Sequence, residues 1–155
     1  MALIIENGTG VPNADSFITV TECSADAVAY FGSSLNGNNA DKEAALRRAF
    51  TYMRALEWKD DLWPTFGGTI PNVVKLAQSV FARAEFQKVN ALSPTVTLRG
   101  NKVLNKVDAI GWDVNHGPNT VEASRPIVTM GMDFLAPYLK RNPNKSGGTF
   151  DLVRS

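Results

Sequence analysis

The sequence predicts a mainly α-helical protein: a four-helix bundle with a projecting β-hairpin and a flexible C-terminal arm. Three observations lead to this fold class. Apolar residues recur every three or four positions in four segments, which is the period of an amphipathic helix. After Pro94 the pattern alternates instead, as in a half-buried strand. Beyond residue 139 the composition becomes that of a linker with a few apolar residues at its end.

The length and these patterns set the expected domain organisation. A chain of 155 residues corresponds to about one domain. We expect a helical domain over residues 1–139, with the hairpin at about residues 95–115, and an arm over residues 140–155. The sequence has no apolar run long enough to cross a bilayer and no signal-peptide pattern, so we expect a cytoplasmic protein without a membrane partner.

The stretch GTGVPNADSFITV, residues 8–20, has some features of a phosphate-binding loop, because Gly8 and Gly10 precede a predicted helix. A dinucleotide-binding fingerprint needs a third glycine, but Asn13 occupies that position, and residues 1–39 contain no Lys or Arg. We therefore interpret the stretch as a turn-rich lead into the first helix.

The first predicted helix spans about Val20–Phe31 and stops at Gly32. Thr19 and Glu22 have the spacing of a capping box, in which each side chain accepts a backbone N–H of the first turn. Cys23 is the only cysteine, which excludes an internal disulfide. It lies in this helix and is expected to be a buried small residue. The expected apolar stripe of the helix consists of Ala25, Val28, Ala29 and Phe31.

The second and third predicted helices have the clearest periodicity. The second lies within residues 41–58, and its expected buried face contains Leu46, Ala49, Phe50, Met53 and Leu56. Three basic residues of this helix point elsewhere: Arg47, Arg48 and Arg54. The third helix follows Pro71, a residue typical of a first turn, and its expected inner face contains Val73, Ala77, Val80, Phe81 and Ala84.

The loop that joins these helices, residues 59–71, combines paired acids with aromatic residues. Asp60 and Asp61 could bind a metal ion, but consecutive side chains in a loop diverge and no histidine or third acid lies nearby in sequence. We expect a loop whose acids are solvated while Trp63 and Phe66 cover the core.

The last part of the chain is predicted to contain the hairpin, one more helix and the arm. Two or three short antiparallel strands carry one-sided apolar residues: Val96, Leu98, Ile110, Trp112 and Val114. The final helix, after Ser124, is expected to bend near Gly131 and end at Pro137. Its expected apolar face contains Ile127, Met130, Phe134, Leu135 and Tyr138.

The net charge of +1 conceals an uneven distribution. Residues 1–39 carry four acids and no base, a charge of −4, whereas residues 140–155 carry four bases and one acid, a charge of +3. Two explanations stay open: chance in a short chain, or two ends that meet complementary partners or each other.

The sequence offers no constellation for catalysis or for a bound cofactor. His116 is the single histidine and lies in a turn-like segment, so no nucleophile can be given a paired base. No zinc or iron ligand cluster is present in the sequence pattern. We expect no enzyme, no cofactor, and neither catalytic nor metal-ligating residues.

Nucleic-acid binding is the main alternative among binding functions. The three arginines of the second helix could contact phosphates, and so could the bases of the predicted hairpin, Arg99, Lys102 and Lys106, which lie near a possible stacking ring, Trp112. Against this, the sequence pI is about 7.8 and acids are interleaved with the bases, whereas dedicated binders are usually more basic.

The order of features resembles a known family. The quoted segments are MALIIENGTGVPNADSFITVTE, EAALRRAFTYMRA, the loop with LWP, IPNVVKLAQSVFARA, KVDAIGWDV and RPIVTMGMDFLAPYL. Together they resemble the head-to-tail connector, or adaptor, proteins of tailed bacteriophages, and in particular the group often labelled DnaT-like single-stranded-DNA-binding proteins. The resemblance extends to about residue 139.

The resemblance implies an adaptor-type bundle that forms a virion ring of about twelve copies in the neck, assembled in the host cytoplasm. Its implied partners are the portal protein, other copies of itself and the next neck or tail component, with DNA passing through the channel during ejection. The alternative reading is a single-stranded-DNA-binding accessory protein of replication. The implied portal-binding arm contains Lys140, Arg141, Lys145, Phe150, Leu152, Val153 and Arg154. The residues of a possible inter-subunit or channel hairpin are Arg99, Lys102, Lys106 and Trp112.

Overall fold

The structure, a computed structural model, describes residues 1–93 and 128–140. These residues form four α-helices: α1 (Val20–Phe31), α2 (Asn39–Arg54), α3 (Asn72–Gln87) and α4 (Thr129–Leu135). Two short 3₁₀ turns accompany them, Phe66–Gly68 and Ala136–Tyr138. The predicted mainly helical class is confirmed for this part of the chain.

The described residues contain no β-strand, only two isolated bridges. One joins Ile5 to Ser16 and the other joins Trp58 to Leu139. The predicted hairpin and the arm beyond residue 140 lie outside the described residues. Within the same described ranges, every helix is too short or too polar to span a membrane.

Helix α3 is the centre of the fold, because α1, α2 and α4 all pack against it. The prediction of its inner face is right for Ala77, Val80 and Phe81, whereas Val73 and Ala84 are only partly buried. Neighbours cover α3 on several sides, so its buried surface is wider than the single predicted stripe. It therefore also buries three polar residues, Gln78, Ser79 and Glu85.

Both ends of α1 lie where the sequence predicts them. The Thr19 hydroxyl accepts the backbone N–H of Glu22 at 3.2 Å, and the Glu22 carboxylate accepts the backbone N–H of Thr19 at 2.7 Å. This is the predicted capping box. Gly32 ends the helix with φ of 65°, a left-handed conformation that costs glycine little.

The predicted apolar stripe of α1 is wrong for Ala25, Val28 and Ala29, whereas Phe31 is partly buried and packs against the core. The residues that face α3 are Cys23 and Ala27, with 2% and 1% of their surface exposed, whereas Val28 is 58% exposed. Ala25 and Ala29 are exposed as well. The helix has two stripes of similar apolarity, and the one with the smaller side chains allows closer packing on α3.

The buried face of α2 agrees with the prediction, whereas the helix begins at Asn39 and ends at Arg54, both earlier than predicted. Its start is capped by the side-chain oxygen of Asn38, which accepts the backbone N–H of Asp41 at 2.8 Å. The predicted apolar face is buried except for Leu56, which lies beyond the helix end and is half-buried; the buried members are Leu46, Ala49, Phe50 and Met53.

Helix α4 corrects two predictions. Met130, expected in the core, is 47% exposed, whereas Leu135 is buried as predicted, together with Gly131 and Met132. Gly131 does not bend the helix; it lets α4 approach α3, since a Cβ at this position would lie 2.6 Å from Cζ of Phe81. The glycine leaves space for the neighbouring ring. In the sequence, such a glycine looks the same as one that breaks a helix.

Candidate nucleic-acid interface

The N-terminal loop with Gly8 and Gly10 closes around a carboxylate of the chain itself. One Glu6 oxygen accepts the backbone N–H groups of Gly8 and Gly10 at 2.8 and 2.9 Å, and the other accepts that of Val11 at 2.7 Å. Glu6 is only 1% exposed. The donors that a phosphate would need are therefore already bonded, in agreement with the predicted structural role of this stretch.

The same hydrogen bonds decide the ionisation of Glu6. Burial by itself would raise the pKa of the carboxyl, but the backbone N–H groups of Gly10, Gly8, Val11 and Asn7 together outweigh it. The pKa of Glu6 therefore lies below the usual value of 4.5. The carboxylate stays charged at neutral pH and holds the loop closed.

An aromatic cluster beyond the C-terminal end of α2 is the most distinctive surface feature of the described residues. Its rings lie with centroids between 4.9 and 6.4 Å apart and belong to Phe17, Phe50, Trp58, Trp63, Phe66 and Tyr138. Phe17 and Trp58 are buried, which anchors the cluster in the core. Trp63, Phe66 and Tyr138 are only partly buried and pack against the core. Aromatic rings that the core fixes and that stay partly exposed suit the stacking of bases.

The segment that carries Trp63 and Phe66, residues 59–70, is here called the aromatic loop. Three of its non-glycine residues have positive φ: Asp60 at 45°, Asp61 at 54° and Phe66 at 50°. A left-handed conformation is unfavourable for a bulky residue such as Phe66, and such strain is concentrated at functional sites. The prediction that this loop covers the core with its aromatic residues while both acids stay exposed is confirmed.

Residues 57–59 and 138–140 pair beside the aromatic loop. The backbone N–H of Lys59 donates to the carbonyl of Tyr138 at 2.9 Å, and that of Lys140 donates to the carbonyl of Glu57 at 2.9 Å. Both lysine side chains are exposed, although Nζ of Lys59 also donates to the carbonyl of Pro137 at 3.1 Å. The pairing thus brings two exposed lysines close in the fold to the 3₁₀ turn that carries Tyr138.

The charge around this surface is mixed. Glu57, Asp60 and Asp61 are exposed close to Lys59 in the chain. The described part of the surface therefore offers stacking area more than electrostatic attraction.

Two of the three arginines of α2 form ion pairs within the fold. Nε of Arg47 lies 2.7 Å from a carboxylate oxygen of Asp15, and Nε of Arg48 lies 2.6 Å from one of Glu85. These ion pairs engage both guanidinium groups within the fold, which makes them less suited to phosphate contacts than the sequence predicted. Arg54 is exposed and has no such partner among the described residues.

The other residues singled out from the sequence mostly lie outside the described residues. The hairpin residues are Arg99, Lys102, Lys106 and Trp112, and the arm residues are Arg141, Lys145, Phe150, Leu152, Val153 and Arg154. Lys140 is described and exposed. The sequence analysis missed Lys59 and Tyr138 as surface residues of the site. The density of aromatic residues over positions 58–66 was the signal that could have drawn attention to the aromatic loop.

Within residues 1–93 and 128–140, no three His, Cys, Asp or Glu side chains are grouped so as to hold a metal ion. Cys23 is not activated: burial, assisted by the charge of Asp26, raises the pKa of its thiol to about 11. The described residues thus present an aromatic surface with flanking lysines as the main candidate site.

These features define a small helical protein with a half-open aromatic surface. A family model described as "Putative DnaT-like ssDNA binding protein" matches residues 1–155, and the chain belongs to that family. No curated protein and no solved structure matches the chain.

The family match corrects the functional expectation. It supports the DnaT-like part of the resemblance over the whole chain, whereas the assignment as a bacteriophage head-tail connector is wrong. Three expectations depended on that assignment: the location in the virion neck, the portal-binding arm, and the dodecameric adaptor ring for genome ejection. The helices that suggested it are amphipathic segments whose apolar spacing reports burial and not the identity of a partner.

Proposed function

We propose that this protein binds single-stranded DNA as an accessory protein of replication. The observation that carries the proposal is the half-open cluster of Trp63, Phe66 and Tyr138 beside Lys59 and Lys140. The description of the family points to the same ligand class.

Stacking on the aromatic loop supplies most of the binding energy in this proposal. Every base has a π-face, so a stacking surface accepts any sequence, and each base stacked on an aromatic side chain contributes about 1–3 kcal/mol. Lys59 and Lys140 flank the rings and contact the phosphates of the stacked nucleotides. Single strands are favoured over duplexes because a duplex keeps its bases stacked on each other.

Further contacts come from the segment at about residues 95–115. Its bases Arg99, Lys102 and Lys106 add phosphate contacts, and Trp112 adds a stacking ring. This part of the proposal is supported by the sequence alone.

The near-neutral charge sets the expected strength of binding. With a net charge of +1, long-range attraction to DNA is weak. We expect dissociation constants of about 10⁻⁴ to 10⁻⁶ M, the range of non-specific binding, and a modest dependence on salt.

Fluorescence anisotropy with a labelled single-stranded oligonucleotide, titrated at several NaCl concentrations, tests this function. Two sets of charges are removed in turn: Lys59→Gln with Lys140→Gln, and Arg99→Gln with Lys102→Gln and Lys106→Gln. The matched control is Lys42→Gln with Lys88→Gln. Lys42 lies near the start of α2 and Lys88 directly after α3, so both are at the helix ends remote from the aromatic loop.

The site variants should bind more weakly, and their salt dependence should be shallower. Each lost phosphate contact lowers the slope of log K against log salt by about 0.7, so the double variant loses about 1.4 and the triple variant about 2. The control should keep the wild-type slope. Absence of binding at low salt, or an equal loss in the control, would refute the proposed function.

A further inference from the structure

A groove runs between α1 and the first half of α3, and none of the clustered aromatic rings lines it. It has a volume of about 440 Å³. Tyr30, Val73 and Leu76 provide apolar surface, and Tyr30 is 66% exposed. Glu22 and Asp26 line the α1 side, and they share one helix face with Tyr30 because the three residues are four positions apart.

The two acids of the groove can accept further partners. One carboxylate oxygen of Glu22 accepts from the backbone N–H and the hydroxyl of Thr19, and one oxygen of Asp26 accepts from the hydroxyl of Ser79. The second oxygen of each has no hydrogen bond within the described residues. Both carboxylates therefore present negative charge to the groove.

The charge asymmetry of the chain is concentrated in this groove. Four acids produce the charge of −4 in residues 1–39. Glu6 is enclosed by backbone N–H groups and Asp15 is paired with Arg47, so both are engaged within the fold. Glu22 and Asp26 are the remaining two. The negative charge that is left for a partner thus lies on one side of an apolar groove.

We propose that the C-terminal segment of the same chain, residues 141–155, docks in this groove. The segment has complementary chemistry: Arg141, Lys145 and Arg154 match the two acids, and Phe150 and Leu152 match the apolar lining. Asp151, the only acid of the segment, meets the one base of the groove, Lys75.

The length of the segment allows docking within one molecule. Phe150 lies ten positions after Lys140, the last described residue, so the chain between them spans at most about 35 Å when extended. A domain of this size has a radius of gyration of about 15 Å. The segment can therefore reach most of the surface of its own molecule, and the tether keeps its effective concentration high. The docking does not depend on the proposed DNA binding.

Disulfide trapping in the full-length chain tests the docking without any nucleic acid. One variant carries Asn72→Cys at the groove and Ser155→Cys at the chain end. The control carries Gln87→Cys with Ser155→Cys; Gln87 is exposed on the same helix, about 23 Å further along it. Cys23 is 2% exposed and takes no part in the exchange.

Under mild oxidation the Asn72→Cys pair should form an intramolecular disulfide on the order of tenfold faster than the control pair. Adding Phe150→Ser and Leu152→Ser to the groove pair should remove the difference in the rate of disulfide formation. High salt should reduce the same difference in part. Equal rates for the two pairs, or a difference that survives the serine substitutions, would overturn the proposal. A disulfide-linked dimer would also overturn it, because it would place the segment on a second molecule.

Discussion

The side-chain oxygen of Gln78 accepts the backbone N–H of Phe17 at 2.8 Å, across 61 residues of sequence. Its amide nitrogen donates to the hydroxyl of Ser16 at 2.9 Å and to the carbonyl of Leu46 at 3.1 Å. Gln78 is fully buried, so one side chain of α3 joins the N-terminal segment and α2 to the centre of the fold.

Replacing Gln78 by Met should lower the free energy of unfolding by about 2–4 kcal/mol, because it leaves the Phe17 N–H buried without a partner and removes the hydrogen bonds to Ser16 and Leu46. Urea denaturation followed by circular dichroism measures the change. Gln87→Met, an exposed position on the same helix, is the control and should change stability by less than about 0.5 kcal/mol. Equal effects at the two positions would show that the buried hydrogen bonds do not matter.

Replacing Glu6 by Gln should destabilise the protein by about 2 kcal/mol at pH 7, since hydrogen bonds to a charged acceptor are the stronger ones. The folded-state pKa of Glu6 is below 4.5, so its contribution is fully present above that pH. The contribution is lost as the pH falls through the folded-state pKa.

The stability difference between wild type and Glu6→Gln should therefore shrink between about pH 5 and pH 2. Urea denaturation at a series of pH values measures it. Glu57→Gln, at an exposed position, serves as the control. A difference that stays constant with pH would contradict the role of the charged carboxylate.

Replacing Arg48 by Met should cost about 2 kcal/mol of stability, because it leaves the carboxylate of Glu85 buried without its cationic partner. Glu85 keeps the backbone N–H groups of Asn90 and Leu92 at 2.9 and 2.8 Å, and Arg48 is partly exposed, so the loss is below that of an isolated buried pair. Thermal denaturation measures the effect.

Arg54→Met is the matched control in the same helix and should leave stability nearly unchanged. The Arg48→Met protein, once folded, should bind oligonucleotides as the wild type does. A selective loss of DNA binding without a loss of stability would mean that Arg48 contacts the nucleic acid.

Replacing Gly131 by Ala should lower stability by about 1–3 kcal/mol, because the new methyl group would collide with the ring of Phe81. The helix propensity of alanine would predict the opposite sign. Thermal denaturation decides between the two effects. Met130→Ala, at the neighbouring half-exposed position, is expected to cost less than the glycine substitution.

The thiol of Cys23 should be unreactive in the folded protein at pH 8, because it is buried and its pKa is raised to about 11. An aromatic disulfide reagent with absorbance detection measures the rate. Reaction should become fast in denaturant. A Tyr30→Cys variant, which places a thiol at an exposed site of the same helix, should react rapidly without denaturant and serves as the positive control.

The ends of α1 could be predicted and the cap of α2 is also local in sequence. Thr19 with Glu22, Gly32 and Asn38 act on backbone groups within four residues of themselves. The family could also be reached from the sequence in part, through the DnaT-like resemblance, whereas the adaptor function could not, since generic amphipathic helices carry no partner information.

The candidate site could be predicted only in outline. The aromatic residues Trp63 and Phe66 were expected over the core, which is where they lie. The same site also contains Lys59, Lys140 and Tyr138. Their placement depends on the pairing of two segments that are about 80 residues apart. No local pattern encodes such a contact.

The sequence by itself determined the helical class, the bounds and caps of α1, the buried face of α2 and the burial of Cys23. These features depend on hydrogen bonds and periodicity within a few residues. Tertiary structure decided which stripe of α1 is buried and that Gly131 serves close packing. It also decided that Arg47 and Arg48 form ion pairs and that the segment with Tyr138 pairs beside the aromatic loop. The physical reason is that packing and charge pairing act between segments distant in sequence, where the same side chain can be core, surface or partner according to what it meets.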